Sequence, residues 1–325
     1  LACLTTSRQR LPRAAPWFES ALPSLVSGLS LRPSTILFMT DSLQSPLAQT
    51  HITFIGGGNM GRALIGGLLA SGLHARQITV VEPLTATAEK LKADFSVAIV
   101  NSIDQLQFDS KLEHVMVMAV KPQDFKQVAL SLAPHLKTID AQRLLIISIA
   151  AGIRLSNMTS WLVHSHCVRA MPNTPALIGM GMTGLCAGAS VDTQACSKAA
   201  ALCNAVGQSV WVKDEHLIDA VTALSGSGPA YVFAFLEALQ SGGEKLGLDP
   251  DTARALAYAT LQGAAQLAIN SDESAGSLRE KVTSKGGTTA AALAVLQEGN
   301  WQGILEAALA AAAKRGQAMG DELAQ

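Results

Sequence analysis

Four stretches of this chain carry residue types whose spacing could do chemistry. Gly56, Gly57, Gly58, Asn59, Met60 and Gly61 follow an apolar run ending at Ile55 and precede a helical pattern. In that setting G-x-G-x-x-G reads as a diphosphate cradle. Gly56 permits a tight turn, Gly58 leaves room for a pyrophosphate against the backbone, and Gly61 lets the helix sit close to the strand, with free helix-start amides facing the anion. An acid, Glu82, ends the next apolar run about twenty residues beyond the last glycine, which completes a dinucleotide fingerprint. Glu82 can accept from both ribose hydroxyls of NADH and would repel the extra phosphate of NADPH. The alternative has Glu82 pointing to solvent, with Thr85, Thr87 and Lys90 holding that phosphate.

The second stretch is the run 115–120, which stops at Lys121-Pro122. Proline forces the residue before it out of helical geometry, so Lys121 falls in an exposed turn at the carboxyl end of a sheet. Residues 169–175 read as a similar strand end, stiffened by Pro172 and Pro175, with the Asn173 amide free to hydrogen-bond. Carboxyl ends of parallel strands line the ligand crevice of such sheets. The fourth stretch, Ser284-Lys285-Gly286-Gly287-Thr288-Thr289, precedes an apolar helix. Two glycines there expose backbone N–H groups, a ready carboxylate site. The hydroxyls of Ser284, Thr288 and Thr289 are neutral donors able to reach an imine nitrogen without adding a repelling cation.

Each stretch has a plainer structural reading. Thr288 and Thr289 can be helix-start residues that satisfy backbone donors. Lys121 can be a solvated lysine and Arg169 an ion-pair partner. The small residues of 225–229 can serve tight helix packing. The seven histidines are scattered, none beside a carboxylate or another ligand at a telling spacing, and read as structural. Met116 and Met118 read as core.

These residues need a scaffold, and the apolar pattern supplies one. Strands are expected at 51–55, 77–82, 97–100, 115–120, 143–149 and 166–170, with helices at 59–71, 85–94 and 123–132 between them. Strands apolar throughout, alternating with helices, imply a parallel sheet covered on both faces. Residues 180–212 add a further strand and helix. After Asp214 the strands stop, and 216–246, 250–269 and 288–317 read as helices rich in Ala and Leu. Helices apolar most of the way round need more partners than a small domain offers, so this part is expected to dimerise. The fold class is therefore α/β: a Rossmann-like doubly wound sheet over 50–213, then an all-helical dimerisation domain over 214–325, with 1–49 as an extension.

Composition bounds the rest. A chain of 325 residues, 49% hydrophobic and 15% charged, can bury two cores. A net charge of −1 and a pI near 6.7 give no general attraction to nucleic acid or anionic membrane. The five cysteines form no zinc-type spacing, so no metal site is expected, and they read as reduced thiols in the cytoplasm. The longest apolar run, 144–153, has strand length rather than membrane-span length. Ahead of Thr40, Arg8, Arg10, Arg13 and Arg32 face the single acid Glu19. That segment reads either as a transit peptide or as an over-extended frame with Met39 as the natural start, and in both readings as poorly ordered.

Six motifs in order, FIGGGNMG (54–61), AVKPQ (119–123), SIAAG (148–152), RAMPNTP (169–175), SGSGPAY (225–231) and VTSKGGTT (282–289), make the chain resemble the pyrroline-5-carboxylate reductase family. The resemblance runs from His51 to about Gln317. It implies reduction of 1-pyrroline-5-carboxylate to L-proline with NADPH or NADH, in a homodimer or larger homo-oligomer whose active sites lie at the domain junction. It also implies cofactor contacts at Gly56, Gly57, Gly58, Asn59, Met60, Gly61, Glu82, Asn101, Ala119, Val120, Lys121, Pro122 and Ala151. Substrate contacts fall on Val282, Ser284, Gly286, Gly287, Thr288 and Thr289, with Asn173 close by. Thr289 would hydrogen-bond the ring nitrogen and the amides of 286–288 would hold the carboxylate. Two alternatives stand beside this: a related imine or hydroxy-acid oxidoreductase, and a non-catalytic dinucleotide-binding regulator. The chain departs from the family at Lys285, where relatives carry proline, and at Asp272-Glu273-Ser274-Ala275, which lacks another family proline.

Overall fold

The structure, a computed structural model, describes residues 45–324. Strand β1 (Thr50–Ile55) is buried nearly throughout, as a central strand covered on both faces must be. The glycine turn leads to α1 (Asn59–Ala70), then β2 (Ile78–Val81), α2 (Thr85–Phe95) and β3 (Ala98–Val100). The next half holds β4 (Glu113–Met118), α3 (Pro122–Leu136), β5 (Leu144–Ser148), α4 (Leu155–Leu162) and β6 (Cys167–Met171). Strands β7 (Gly181–Ala187) and β8 (Gly207–Trp211) flank α5 (Thr193–Asn204).

All lie in one sheet of order β3-β2-β1-β4-β5-β6-β7-β8. β1 pairs in parallel with β4, Ile52 opposite Val115 and Ile55 opposite Met118. Chain direction around the sheet reverses between these two strands, so their carboxyl ends open a crevice. Side chains alternate across the sheet. Ile52, Phe54, Val115 and Val117 pack with α1 and α5, and Ile55, Met116, Met118 and Ile146 pack with α3 and α4.

The parallel sheet expected from the apolar runs holds through β6 and fails after it. β7 is antiparallel to β6, Arg169 opposite Cys186, and β8 is parallel to β7. The link from β6 to β7 is a short helical turn, Thr174–Ile178, and a parallel return needs a longer crossover.

The helical part begins with α6 (Leu217–Val221), which runs through a wide π turn, Thr222–Gly226, into α7 (Gly228–Lys245). α8 (Pro250–Ile269) starts at Asp249, whose side chain accepts the Thr252 N–H. α9 (Ala275–Lys281) starts at Ser274, whose Oγ accepts the Ser277 N–H at 3.1 Å, a cap standing where the family proline is missing. The single helix expected over 288–317 is two, α10 (Thr288–Glu298) and α11 (Trp301–Leu323). Gly299 ends the first, and Asn300 at φ +51° turns the chain, a left-handed conformation that asparagine tolerates. Periodicity anticipated neither of the short helices α4 and α9.

Residues 45–49, assigned above to the extension, belong to the fold. Leu47 is 3% exposed and joins the core, and Gln77 Nε2 donates to the carbonyls of Leu47, Ala48 and Thr50. The rest of the extension lies outside the described residues.

The described residues fall in one compact unit, joined by Leu323 of α11 packing on the core and by polar ties. Arg169, 4% exposed, pairs with Glu215 at 3.1 Å and Asp219 at 3.5 Å. Arg154 reaches Asp321 of α11 at 2.7 Å. Elsewhere the helices are poorly covered: α7 buries only Leu236, and α10 buries nothing. Phe233, Leu256, Leu267, Ile269, Val295 and Ile304 are exposed, an apolar surface that calls for a partner. Among the described residues, no helix is long and apolar enough to cross a membrane, and no His/Cys/Asp/Glu group could hold a metal.

Candidate active site

The three fingerprint glycines do three different things. Gly56 has φ +97°, and a Cβ there would lie 2.8 Å from the Ala119 carbonyl oxygen, so it both turns the chain and seats the turn on the end of β4. At Gly61 a Cβ would lie 3.0 Å from the Gly56 carbonyl oxygen, which is how closely α1 sits on the turn. At Gly58 a Cβ would meet nothing within 4 Å. Gly58 is the N-cap of α1 and brings no side chain to it, so the first amides of this 12-residue helix point into open space. A diphosphate fits that cradle in charge and in shape.

Neighbouring strand ends complete the crevice. The Ala119 N–H donates to Ile55 O at 2.9 Å, carrying 119–122 alongside the turn. Lys121 is the exposed N-cap of α3, with extended backbone ahead of Pro122. The Ile149 N–H donates to Met118 O at 3.2 Å, which brings half-buried Ala151 to the same edge. Asn101 is exposed just past β3. The residues expected to touch the cofactor thus share one edge of the sheet.

Glu82 does not point to solvent. It is 6% exposed, and its Oε2 accepts the Gly57 N–H at 2.9 Å while Oε1 accepts the Leu84 N–H at 3.0 Å. Asn173 is likewise committed within the protein. Its Oδ1 accepts the Met182 N–H at 2.9 Å, and its Nδ2 donates to Ser225 O at 3.2 Å and Ser225 Oγ at 3.1 Å. It therefore ties the end of β6 to the π turn. Arg169 is the ion-pair partner that its strand-end position suggested. Its acids were not foreseen: Glu215 lies 46 residues away in sequence, and it also accepts the Leu155 N–H at 2.7 Å. A buried arginine signals that acids must be near, but not which ones.

The second cluster lies on the helical part. Val282, Ser284, Lys285, Gly286 and Thr288 are exposed, and Gly287 and Thr289 are half-buried. The Gly287 N–H donates to Ser284 O at 3.0 Å, closing a turn in which Gly286 has φ +74°. This corrects the expectation that all amides of 286–288 are open, because that of Gly287 is spent inside the loop. Gly287 caps α10 without a side chain, so the amides of Thr288 and Thr289 begin that helix unsatisfied. The Thr283 hydroxyl donates back to Arg279 O, whereas those of Thr288 and Thr289 have no hydrogen-bond partner among the described residues. α10 packs chiefly on α11.

The half-buried His51 and the buried His114 and His164 stand away from both clusters. His51 and His114 begin β1 and β4, and His164 precedes β6 and bonds Leu144 O at 2.8 Å. Burial lowers the pKa of His51 and of His164. Burial also pushes the thiols of Cys167 and Cys203 up to about 12, which makes them poor nucleophiles.

Comparison with known proteins bears on the same two regions. A family profile described as pyrroline-5-carboxylate reductase dimerisation matches residues 215–319, and one described as NADP oxidoreductase coenzyme F420-dependent matches 51–152. The chain is 43% identical to the pyrroline-5-carboxylate reductase of Pseudomonas aeruginosa, over 86% of this chain and 100% of that one. It is 36% identical to that of Pisum sativum, over 81% and 93%. Among solved structures it is similar to a pyrroline-5-carboxylate reductase from Coxiella burnetii, with TM-score 0.77 and 39% identity over 83% of this chain and 98% of that one. It is also similar to the Plasmodium falciparum pyrroline carboxylate reductase solved with NADP bound, with TM-score 0.70 and 29% identity over 83% and 97%.

Proposed function

The chain belongs to the pyrroline-5-carboxylate reductase family, and on that premise we propose that it reduces 1-pyrroline-5-carboxylate to L-proline with NADPH or NADH, the last step of proline biosynthesis. One observation carries this reading: two helices, α1 and α10, each start at a glycine that brings no capping side chain, which gives one cradle for a diphosphate and one for a small carboxylate. The reduced nicotinamide supplies the hydride that the C=N carbon accepts.

The protein's part is holding and orienting. Residues 56–61 grip the diphosphate, and Ala119, Val120, Lys121, Pro122 and Ala151 wall the crevice, with Asn101 beyond β3. The Thr288 and Thr289 amides hold the substrate carboxylate, and Val282, Ser284 and Gly286 shape the loop around it. The Thr289 hydroxyl hydrogen-bonds the ring nitrogen. An imine accepts electrons best when protonated, and that form is accessible near neutral pH; its N–H donates to the neutral Thr289 hydroxyl oxygen, so positioning suffices without a strong catalytic acid. Asn173 positions the crevice against the π turn.

Residues 50–213 act as the dinucleotide-binding part and 214–325 as the dimerisation part. The uncovered apolar faces of α7, α8 and α10 support a homodimer in which the α10 cradle and the glycine turn meet. The protein works in the cytoplasm, on a small-molecule substrate.

The test is purified protein with the cyclic imine and each reduced cofactor in turn. Loss of reduced-cofactor absorbance with L-proline as product is expected. Turnover of hydroxy acids instead would point to a related dehydrogenase, and cofactor binding without oxidation to a non-catalytic binder.

A further inference from the structure

We infer that Glu82 is a positioning residue for the glycine turn, serving NADH and NADPH alike, and not the group that distinguishes them. This rests on the dinucleotide reading above. An acid at the end of β2 ordinarily offers its oxygens to the adenosine ribose and discriminates against a 2′-phosphate. For that, the oxygens must face the crevice. Here the carboxylate is 6% exposed and both oxygens are turned inward.

The inward geometry has its own purpose. The Gly56 N–H donates to Val81 O at 2.9 Å, and the next amide, Gly57 N–H, donates to Glu82 Oε2 at 2.9 Å. The first two amides of the turn therefore hang on two successive residues at the end of β2, one through its backbone and one through its side chain. The Leu84 N–H on Oε1 fixes the carboxylate from the other side. Only glycine fits at this point of the turn, because a Cβ on residue 57 would overlap Leu91 Cδ1 and lie 3.3 Å from Glu82 Oε2. With these two amides anchored, Gly58 and the start of α1 are left to face the ligand. Both oxygens of Glu82 face backbone donors of the turn and away from solvent, so neither is presented to a ribose hydroxyl.

Two variants separate a turn anchor from a ribose acceptor. Glu82→Gln turns an amide NH2 towards one of the two N–H donors and loses one buried charge-assisted bond, worth about tenfold in affinity. Glu82→Asp keeps the charge and is one methylene too short to span both amides, whereas a ribose acceptor tolerates aspartate. Calorimetric titration of NADP+ and of NAD+ into wild type and both variants, with melting curves of each, is the experiment. Both cofactors are expected to weaken about tenfold in each folded variant, with their affinity ratio held within about threefold.

A Glu82→Gln variant whose NADP+ affinity rises tenfold relative to NAD+ overturns the inference. So does a Glu82→Asp variant that binds NAD+ like wild type, or variants that melt lower while their folded fraction keeps full affinity. If Glu82→Gln does not fold, Glu82→Asp carries the test alone. Wild type that binds neither cofactor would sink the dinucleotide reading itself, a separate result.

Discussion

Replacing Gly58 with alanine probes the diphosphate cradle with the smallest possible change. The Gly58 backbone is extended, at φ −64° and ψ −175°, which alanine adopts freely, and its Cβ would meet nothing within 4 Å. Removing glycine's freedom in the unfolded chain stabilises by about 0.4–1 kcal/mol, and alanine is a poorer N-cap than glycine by a similar amount. The two nearly cancel, so the ligand-free protein should melt within about 3 °C of wild type. Cofactor binding is different, because the methyl stands where the diphosphate must meet the first amides of α1. Losing one or two charge-assisted hydrogen bonds there costs roughly 2–4 kcal/mol, or about 30-fold to 1000-fold in Kd. Gly56→Ala is the control: at φ +97°, with a Cβ 2.8 Å from a backbone oxygen, it should lose stability together with affinity. Calorimetric titration of NADP+ paired with melting curves reads both quantities. A Gly58→Ala protein that binds within threefold of wild type, or that melts as low as Gly56→Ala, refutes the cradle.

Three other outcomes follow from the same geometry. Thr289→Ala should lower kcat/KM by about 10–100-fold, the scale of one neutral hydrogen bond (about 1–3 kcal/mol), and leave cofactor Kd unchanged; an unaltered rate would remove Thr289 from the chemistry. Arg169→Met leaves Glu215 and Asp219 without their buried cation and should cost roughly 3 kcal/mol in urea unfolding, towards the lower end for such breaks because both acids keep some solvent contact. Stability should fall as pH drops below about 6.5, since burial holds His164 below its unfolded value of 6.5 and the unfolded chain then binds more protons. His51 adds to the loss in the same direction, it is complete once pH has passed through the folded values, and above about 6.5 the contribution is fully present. His164→Gln should flatten part of the slope in melts between pH 7 and 5, and an unchanged slope would assign it to other groups.

Much of this protein was determined locally and is legible in its residues. A strand such as β4, apolar from Val115 to Met118, is recognisable because a central strand buries both faces. α8 begins where Asp249-Pro250 says it should, because the cap and the proline act within one turn. The glycine fingerprint is legible for the same reason: each glycine answers a constraint set a few residues away.

Tertiary structure decided what depends on distant neighbours. The reversal of β7 follows from a link too short to cross the sheet, and the strand's own composition does not encode it. Arg169 finds its acids far along the chain, Glu215 in the turn before α6 and Asp219 within that helix, and Asn173 spends its amide on a π turn that no periodicity announces. Glu82 is the sharpest case. Its type and position announce a nucleotide-binding strand end, but whether its oxygens face the ribose or the turn is set by amides that only folding brings within hydrogen-bond reach. Secondary structure answers to near neighbours. The direction of a polar side chain answers to whichever donor the fold delivers to it.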